Sequence, residues 1–169
     1  MADLDNVRSR KWQLTINNPI DHGFDHMTIK DKLHQLKSLV YWCMCDEEGD
    51  ECDTLHTHVF IALSNACTAS RLSNLLPFAH REIVHGSSRD NRAYVAKEGE
   101  KFNRDPDGHY SYTDSKGKLH KGINFSDTFE EEGELYSRYS YHLWRDVCWP
   151  GYYVSRFQVP VSCCRSFYR

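Results

Sequence analysis

Two apolar stretches flanking an acidic run constrain this chain most. Val40 to Glu47 (VYWCMCDE) and His56 to Ser64 (HTHVFIALS) are rich in aromatic and β-branched residues and too short to be helices, so both read as strands. Six of the eight residues from Asp46 to Asp53 are acidic, which makes the link a solvated loop and the pair an antiparallel hairpin. A further strand precedes them: Trp12, Leu14 and Ile16 alternate with Lys11, Gln13 and Thr15 until Asn17-Asn18-Pro19 stops the pattern.

Helical signals separate the strands. Apolar residues at Met27, Ile29, Leu33, Leu36 and Val40 predict an amphipathic helix over Met27 to Leu39, with Thr28 as N-cap and Asp31 three positions on. Ala69 to Leu76 reads as a short helix ended by Pro77, and His80 to His85 as a fourth strand. Ser87 or Ser88 then caps a helix through Arg92, Tyr94, Val95 and Lys97, which Gly99 ends. His109 to Thr113 reads as an edge strand inside a polar stretch, Arg104 to Gly122, that otherwise has the composition of a linker. This order predicts an α+β domain with a central antiparallel sheet of about five strands and helices on one face. From Tyr136 onward aromatic, Arg and Cys residues follow no period.

At 169 residues the chain has room for one domain and a tail. A formal charge of -3 argues against a passive phosphate clamp. The charge is segregated, however: acids cluster at Asp46 to Asp53 and Asp127 to Glu134, whereas Arg8, Arg10, Lys11, Arg89, Arg92, Lys97, Lys101 and Arg104 lie in more basic stretches. That distribution suits a metal-assisted enzyme acting on phosphates. Seven cysteines, no secretory signal and no apolar run long enough to span a membrane imply free thiols and an intracellular, reducing location.

His56 and His58 lie two apart on a strand and so point to the same side. Hairpin pairing brings a carboxylate of Asp46-Glu47-Glu48 alongside, making an N,N,O donor set with open positions that suits Mg²⁺ or Mn²⁺. Tyr94 and Lys97, three apart on one helix, offer a phenol and a cation on a shared face, and Arg89 and Arg92 nearby could hold backbone phosphates. A phenol ionises near pH ~10, so as a nucleophile it needs an adjacent cation.

The segments WQLTINNP (12–19), LHTHVFIAL (55–63) and NRAYVAKEGE (91–100) resemble, in order and approximate spacing, motifs I, II and III of the HUH endonuclease domain. They look like those of replication-initiator (Rep) proteins of circular single-stranded DNA viruses, circovirus-like and geminivirus-like, and of related plasmids. The resemblance covers roughly residues 8–104. It implies an RRM/ferredoxin-like HUH domain over residues 8–113, followed by a linker and tail over 114–169. It implies His56, His58 and Glu47 as metal ligands, with Glu48 as the alternative carboxylate and Thr57 departing from a usually hydrophobic middle position. Tyr94 becomes the single nucleophile, leaving a 5′-phosphotyrosine and a free 3′-OH at a replication-origin stem-loop, and Lys97 its basic partner. From motif I, Gln13, Thr15, Asn17 and Asn18 would line the bound single strand together with Arg89 and Arg92. Family members commonly continue into a helicase, but no Walker A loop is present, so the sequence reads as a nicking domain alone, either part of a longer Rep or a short Rep form with an unrelated tail, with a helicase or host replication proteins as expected partners. Such a protein would work in the host nucleus for a eukaryotic virus, or in the cytoplasm for a bacterial plasmid or phage.

Two readings from other classes compete. Cys43, Cys45, Cys52, His56 and His58 could hold a structural zinc, although no C-x₂₋₄-C knuckle is present. Alternatively, an RRM-like sheet could bind single strands without cleaving them, stacking bases on Trp12, Tyr41 and Phe60.

Overall fold

The computed structural model describes residues 6–49 and 54–135, and the first three strands expected from the sequence come together at its centre. β1 (Arg8–Asn17), β2 (Leu39–Gly49) and β3 (Leu55–Thr68) are adjacent, with β3 in the middle and antiparallel to both others. β4 (Ala79–Ile83) extends the sheet beyond β1. On the opposite side, β7 (Leu119–Gly133) pairs with β2, β6 (His109–Thr113) with β7, and β5 (Asn103–Arg104) with β6. The order is β4-β1-β3-β2-β7-β6-β5, so the fold is α+β with an antiparallel sheet of seven strands where about five were expected.

Strand parity sorts the side chains onto two faces. Trp12, Leu14, Ile16, Trp42, Met44, Val59 and Ile61 form one core with Ile29 and Leu33 of α1 (His26–Leu33) and Leu72 of α2 (Ala69–Leu75). Tyr41, Cys43, Cys45 and Phe60 point the other way and pack on Val95 of α3 (Ser88–Ala96). The helices therefore cover both faces, not one. Among the described residues α3 is the helix on its face, over β2 and β3, and this is what brings Tyr94 to the histidines.

Helix boundaries follow their caps. Asp25, not Thr28, caps α1 by accepting the Thr28 N–H at 2.7 Å, and α1 ends at Leu33, before the predicted Leu39. Ser87 caps α3 in a reciprocal box with Asp90. No helix among the described residues is long and apolar enough to cross a membrane.

β7 lies in the stretch read as linker and tail, because its second half is a run of acids. Those acids have partners on both sides of the sheet. Glu130 meets His26 of α1 at 3.1 Å and Glu132 meets His34, the residue that caps the end of α1, at 3.2 Å, while Glu131 accepts from Arg92 of α3 at 2.8 Å. Between Met44 and Asp46 the β2–β7 register shifts, and the Asp46 N–H turns to the Thr128 hydroxyl at 2.9 Å. Residues 136–169, the aromatic tail with Cys148, Cys163 and Cys164, lie outside the described residues.

Candidate metal centre

The β2–β3 register sets Glu47 directly opposite His56 and Cys45 opposite His58, with all four on the α3 side of the sheet. The ligand atoms of Glu47, His56 and His58 lie within 4.8 Å of one another. His56 Nε2 is 3.4 Å from Glu47 Oε1, and His58 Nε2 is 3.3 Å from Glu47 Oε2. Glu48 pairs with Leu55 and has the opposite parity, so the carboxylate beside the histidines is that of Glu47. His58, only 8% exposed, is buried beneath α3 and not set in an open surface pocket.

The outer nitrogens test whether the three residues fit a cation. His56 Nδ1 lies 3.0 Å from the Thr54 carbonyl, which can only accept, so Nδ1 carries a proton and Nε2 is the nitrogen turned toward Glu47. His58 Nδ1 pairs with the Thr15 hydroxyl at 3.1 Å, again leaving Nε2 for the carboxylate. With Nδ1 of each ring held from outside, both Nε2 atoms are turned toward the Glu47 carboxylate, which is how metal-binding histidines are anchored. The donor set fits a divalent ion.

Charge is concentrated here. Burial would raise the Glu47 carboxyl, but hydrogen bonds to His56 and His58 and the charges of His58 and Lys97 outweigh it and hold Glu47 far below the ordinary carboxylate range. For His56, burial works downward, yet hydrogen bonding to Glu47 leaves its pKa raised. In His58 burial wins and the pKa is lowered.

α3 supplies the phenol. The Tyr94 ring packs edge-on to that of His58 with centroids 5.6 Å apart. Lys97 is the residue that ends α3, with φ of 52°, and this left-handed turn sends its side chain inward. It is 1% exposed, with Nζ 2.5 Å from Glu47 Oε2 and 4.0 Å from the Tyr94 ring centroid. Burial, then the neighbouring Tyr112, push the Tyr94 phenol well above its ordinary pKa, and burial lowers that of the Lys97 ammonium.

Three residues of this wall escaped the sequence reading. Tyr110 on β6 donates its hydroxyl to Glu47 Oε1. Tyr112, two along, stacks on His120 and meets the Tyr94 ring at 6.1 Å. Asn124 on β7, opposite Glu47, donates to Cys45 Sγ at 3.2 Å and to the Val95 carbonyl at 3.3 Å, tying β2 to α3. The alternation in HYSYT would have put both tyrosines on one face, but nothing local says which face or against what.

The residues expected along a DNA strand fall into three groups. Asn17, Asn18 and Arg89 are exposed. Thr15 is half-buried behind His58, and Gln13 is buried on the same face of β1. Arg92 is held by Glu131 and, at 2.7 Å, by Glu98, with its guanidinium over Phe129. It is thus engaged by two carboxylates, whereas the exposed Lys101 stands over the Tyr94 and Phe102 rings.

The competing readings meet obstacles. Cys45 Sγ is spent on Asn124 and the Phe125 carbonyl, and Cys43 is buried with its thiol pushed up to about 12; Cys52 lies outside the described residues. Among the described residues, the metal-type donor grouping is Glu47, His56 and His58, without a cysteine. Trp12, Tyr41 and Phe60, the proposed base-stacking platform, are all buried.

Comparison with known proteins identifies the family. The family described as "Putative viral replication protein" matches residues 9–98, more than half of the chain. The replication-associated protein of beak and feather disease virus is 28% identical over 138 residues, covering 77% of this chain and 45% of that protein. The replication-associated protein of pigeon circovirus is 30% identical over 98 residues, 54% of this chain and 27% of that protein. The chain thus spans less than half the length of either relative. The resemblance to Rep proteins of circular single-stranded DNA viruses is borne out, and the chain belongs to the viral replication protein family.

Proposed function

We propose that this chain carries the strand-nicking centre of a replication initiator, an HUH-type endonuclease that cleaves and rejoins single-stranded origin DNA with Tyr94. The observation that carries this reading is convergence: a triad of buried Glu47 and His58 and half-buried His56, with the Tyr94 ring against His58 and Lys97 between phenol and carboxylate. Glu47, His56 and His58 would hold Mg²⁺ or Mn²⁺, which when bound supplies Lewis-acid polarisation of the scissile phosphate.

The chain's own residues do the rest. Tyr94 Oη attacks phosphorus in line: the O–P bond to Tyr94 forms, the P–O3′ bond breaks, the phenol proton passes to water and the 3′-oxygen takes one up. The products are a 5′-phosphotyrosine and a free 3′-OH, and because the bond energy is conserved, the reverse reaction rejoins the strand. Lys97 holds a positive charge beside the phenol, whose buried position opposes ionisation, and steadies the phenolate and the charge developing on phosphate. Asn17, Asn18 and Arg89 face solvent, where an extended strand could be gripped. A helicase or host replication proteins would act with this centre, and the nicking domain would include residues 8–113 with the strands that complete its sheet.

The test is incubation of the chain with an origin-type hairpin oligonucleotide and Mn²⁺. A covalent protein–DNA adduct is expected from the wild type and not from Tyr94→Phe, which should bind the oligonucleotide with unchanged affinity. Absence of an adduct across a panel of stem-loops and metals, or adduct formation by Tyr94→Phe, overturns the assignment.

A further inference from the structure

Each of the two imidazoles has one outer partner that fixes its orientation: Thr54 for His56 and Thr15 for His58. Glu47 has such a partner too. The Tyr110 hydroxyl, on a residue 5% exposed, donates to Glu47 Oε1, the oxygen that also lies 3.4 Å from His56. Tyr110 belongs to β6 and Glu47 to β2, with β7 between them, so the ring has to cross a whole strand to reach the carboxylate.

Gly122 makes that crossing possible. It is the residue of β7 directly opposite Tyr110, and a Cβ built on it would come within 3.0 Å of the Tyr110 hydroxyl oxygen and 3.1 Å of the ring. The same Cβ would meet the Glu48 carbonyl at 2.4 Å. Only glycine leaves the sheet low enough here for a tyrosine two strands away to lie across it.

We propose that Tyr110 is a positioning residue for Glu47, the third member of an outer shell that presets all three donors for a divalent ion; this rests on the metal-centre reading above. A carboxylate on a flexible glutamate side chain samples several orientations. With Oε1 anchored by the phenol, Glu47 is held toward the two Nε2 atoms before any ion arrives. Removing an outer partner of this kind typically costs about 10–100-fold in metal affinity.

The experiment titrates Mn²⁺ into the full chain without DNA and reads free Mn²⁺ by electron paramagnetic resonance. Tyr110→Phe keeps the ring over Gly122 and loses only the hydroxyl; its Mn²⁺ dissociation constant should rise about 10–100-fold. In nicking assays its deficit should shrink as Mn²⁺ is raised to saturation. Tyr41→Phe, which loses a phenol bonded to Glu131 on the same face, should leave Mn²⁺ affinity unchanged. His58→Ala separates the two levels of inference. If the wild type binds Mn²⁺ and His58→Ala does not, while Tyr110→Phe stays within about twofold of wild type, the role of Tyr110 is refuted and the metal centre stands. If wild type and His58→Ala bind Mn²⁺ equally, or neither binds it, both readings fall.

Discussion

Glu47 neutralises Lys97 in addition to facing the histidines, and this makes a testable asymmetry in stability. The Lys97 side chain is wholly buried and that of Glu47 is 6% exposed, with 2.5 Å between ammonium and carboxylate. Glu47→Gln preserves shape but strands an ammonium in the interior, and removing one partner of a buried pair costs roughly 3–5 kcal/mol. Lys97→Met is milder, because the carboxylate keeps two imidazoles and a phenol: loss of one charged hydrogen bond suggests about 1.5–3 kcal/mol. In the double variant neither charge remains, so it should be more stable than Glu47→Gln alone by about 2 kcal/mol. Urea unfolding at neutral pH with EDTA present, followed by the fluorescence of the buried Trp12 and Trp42, measures all three. If the two single losses simply add to within about 0.5 kcal/mol, Lys97 is not held by Glu47 and the site is not organised as described.

Arg92→Ala should lower stability by about 1 kcal/mol, through the lost bridges to Glu131 and Glu98 and the lost packing on Phe129, discounted for partial exposure. The salt dependence of single-strand binding should not change; a slope smaller by about one would show that Arg92 contacts a phosphate after all. His26 donates through both ring nitrogens, to Asp46 and Glu130, which only the imidazolium can do, and the bond to Asp46 is the main cause of its raised pKa. A raised folded pKa means that the contribution is complete below the ordinary value of 6.5 and is lost as pH rises through the folded value. His26→Gln should therefore be less stable than wild type by about 1 kcal/mol near pH ~6 and converge on it by pH ~9, and a pH-independent gap in unfolding free energy would refute the pairing.

Strands with one apolar face announced themselves. β1, β2 and β3 alternate or are uniformly apolar, and their pairing parity alone places His56 and His58 together. α3 was legible from its cap and from Gly99, and with it the approach of Tyr94. What stayed hidden depends on contacts far apart in the chain. β7 looks like a charged linker until α1 and α3 supply bases for its acids, and without β7 there is no reason for Tyr110 or Asn124 to enter the site. Arg92 reads as a free cation until Glu131 takes it. The Thr15 hydroxyl reads as a strand-facing group until its partner proves to be the His58 ring. Glu47 and Glu48 were separated only by knowing the register.

The late arrival of β7 bears on where this protein can be trimmed. A fragment stopped at residue 113 would keep every motif residue and still strip the outer edge of β2, the strand that presents Glu47. Its freed backbone donors and acceptors would invite strand addition from a second molecule. Such a fragment would fail by self-association even though its chemistry is nominally complete.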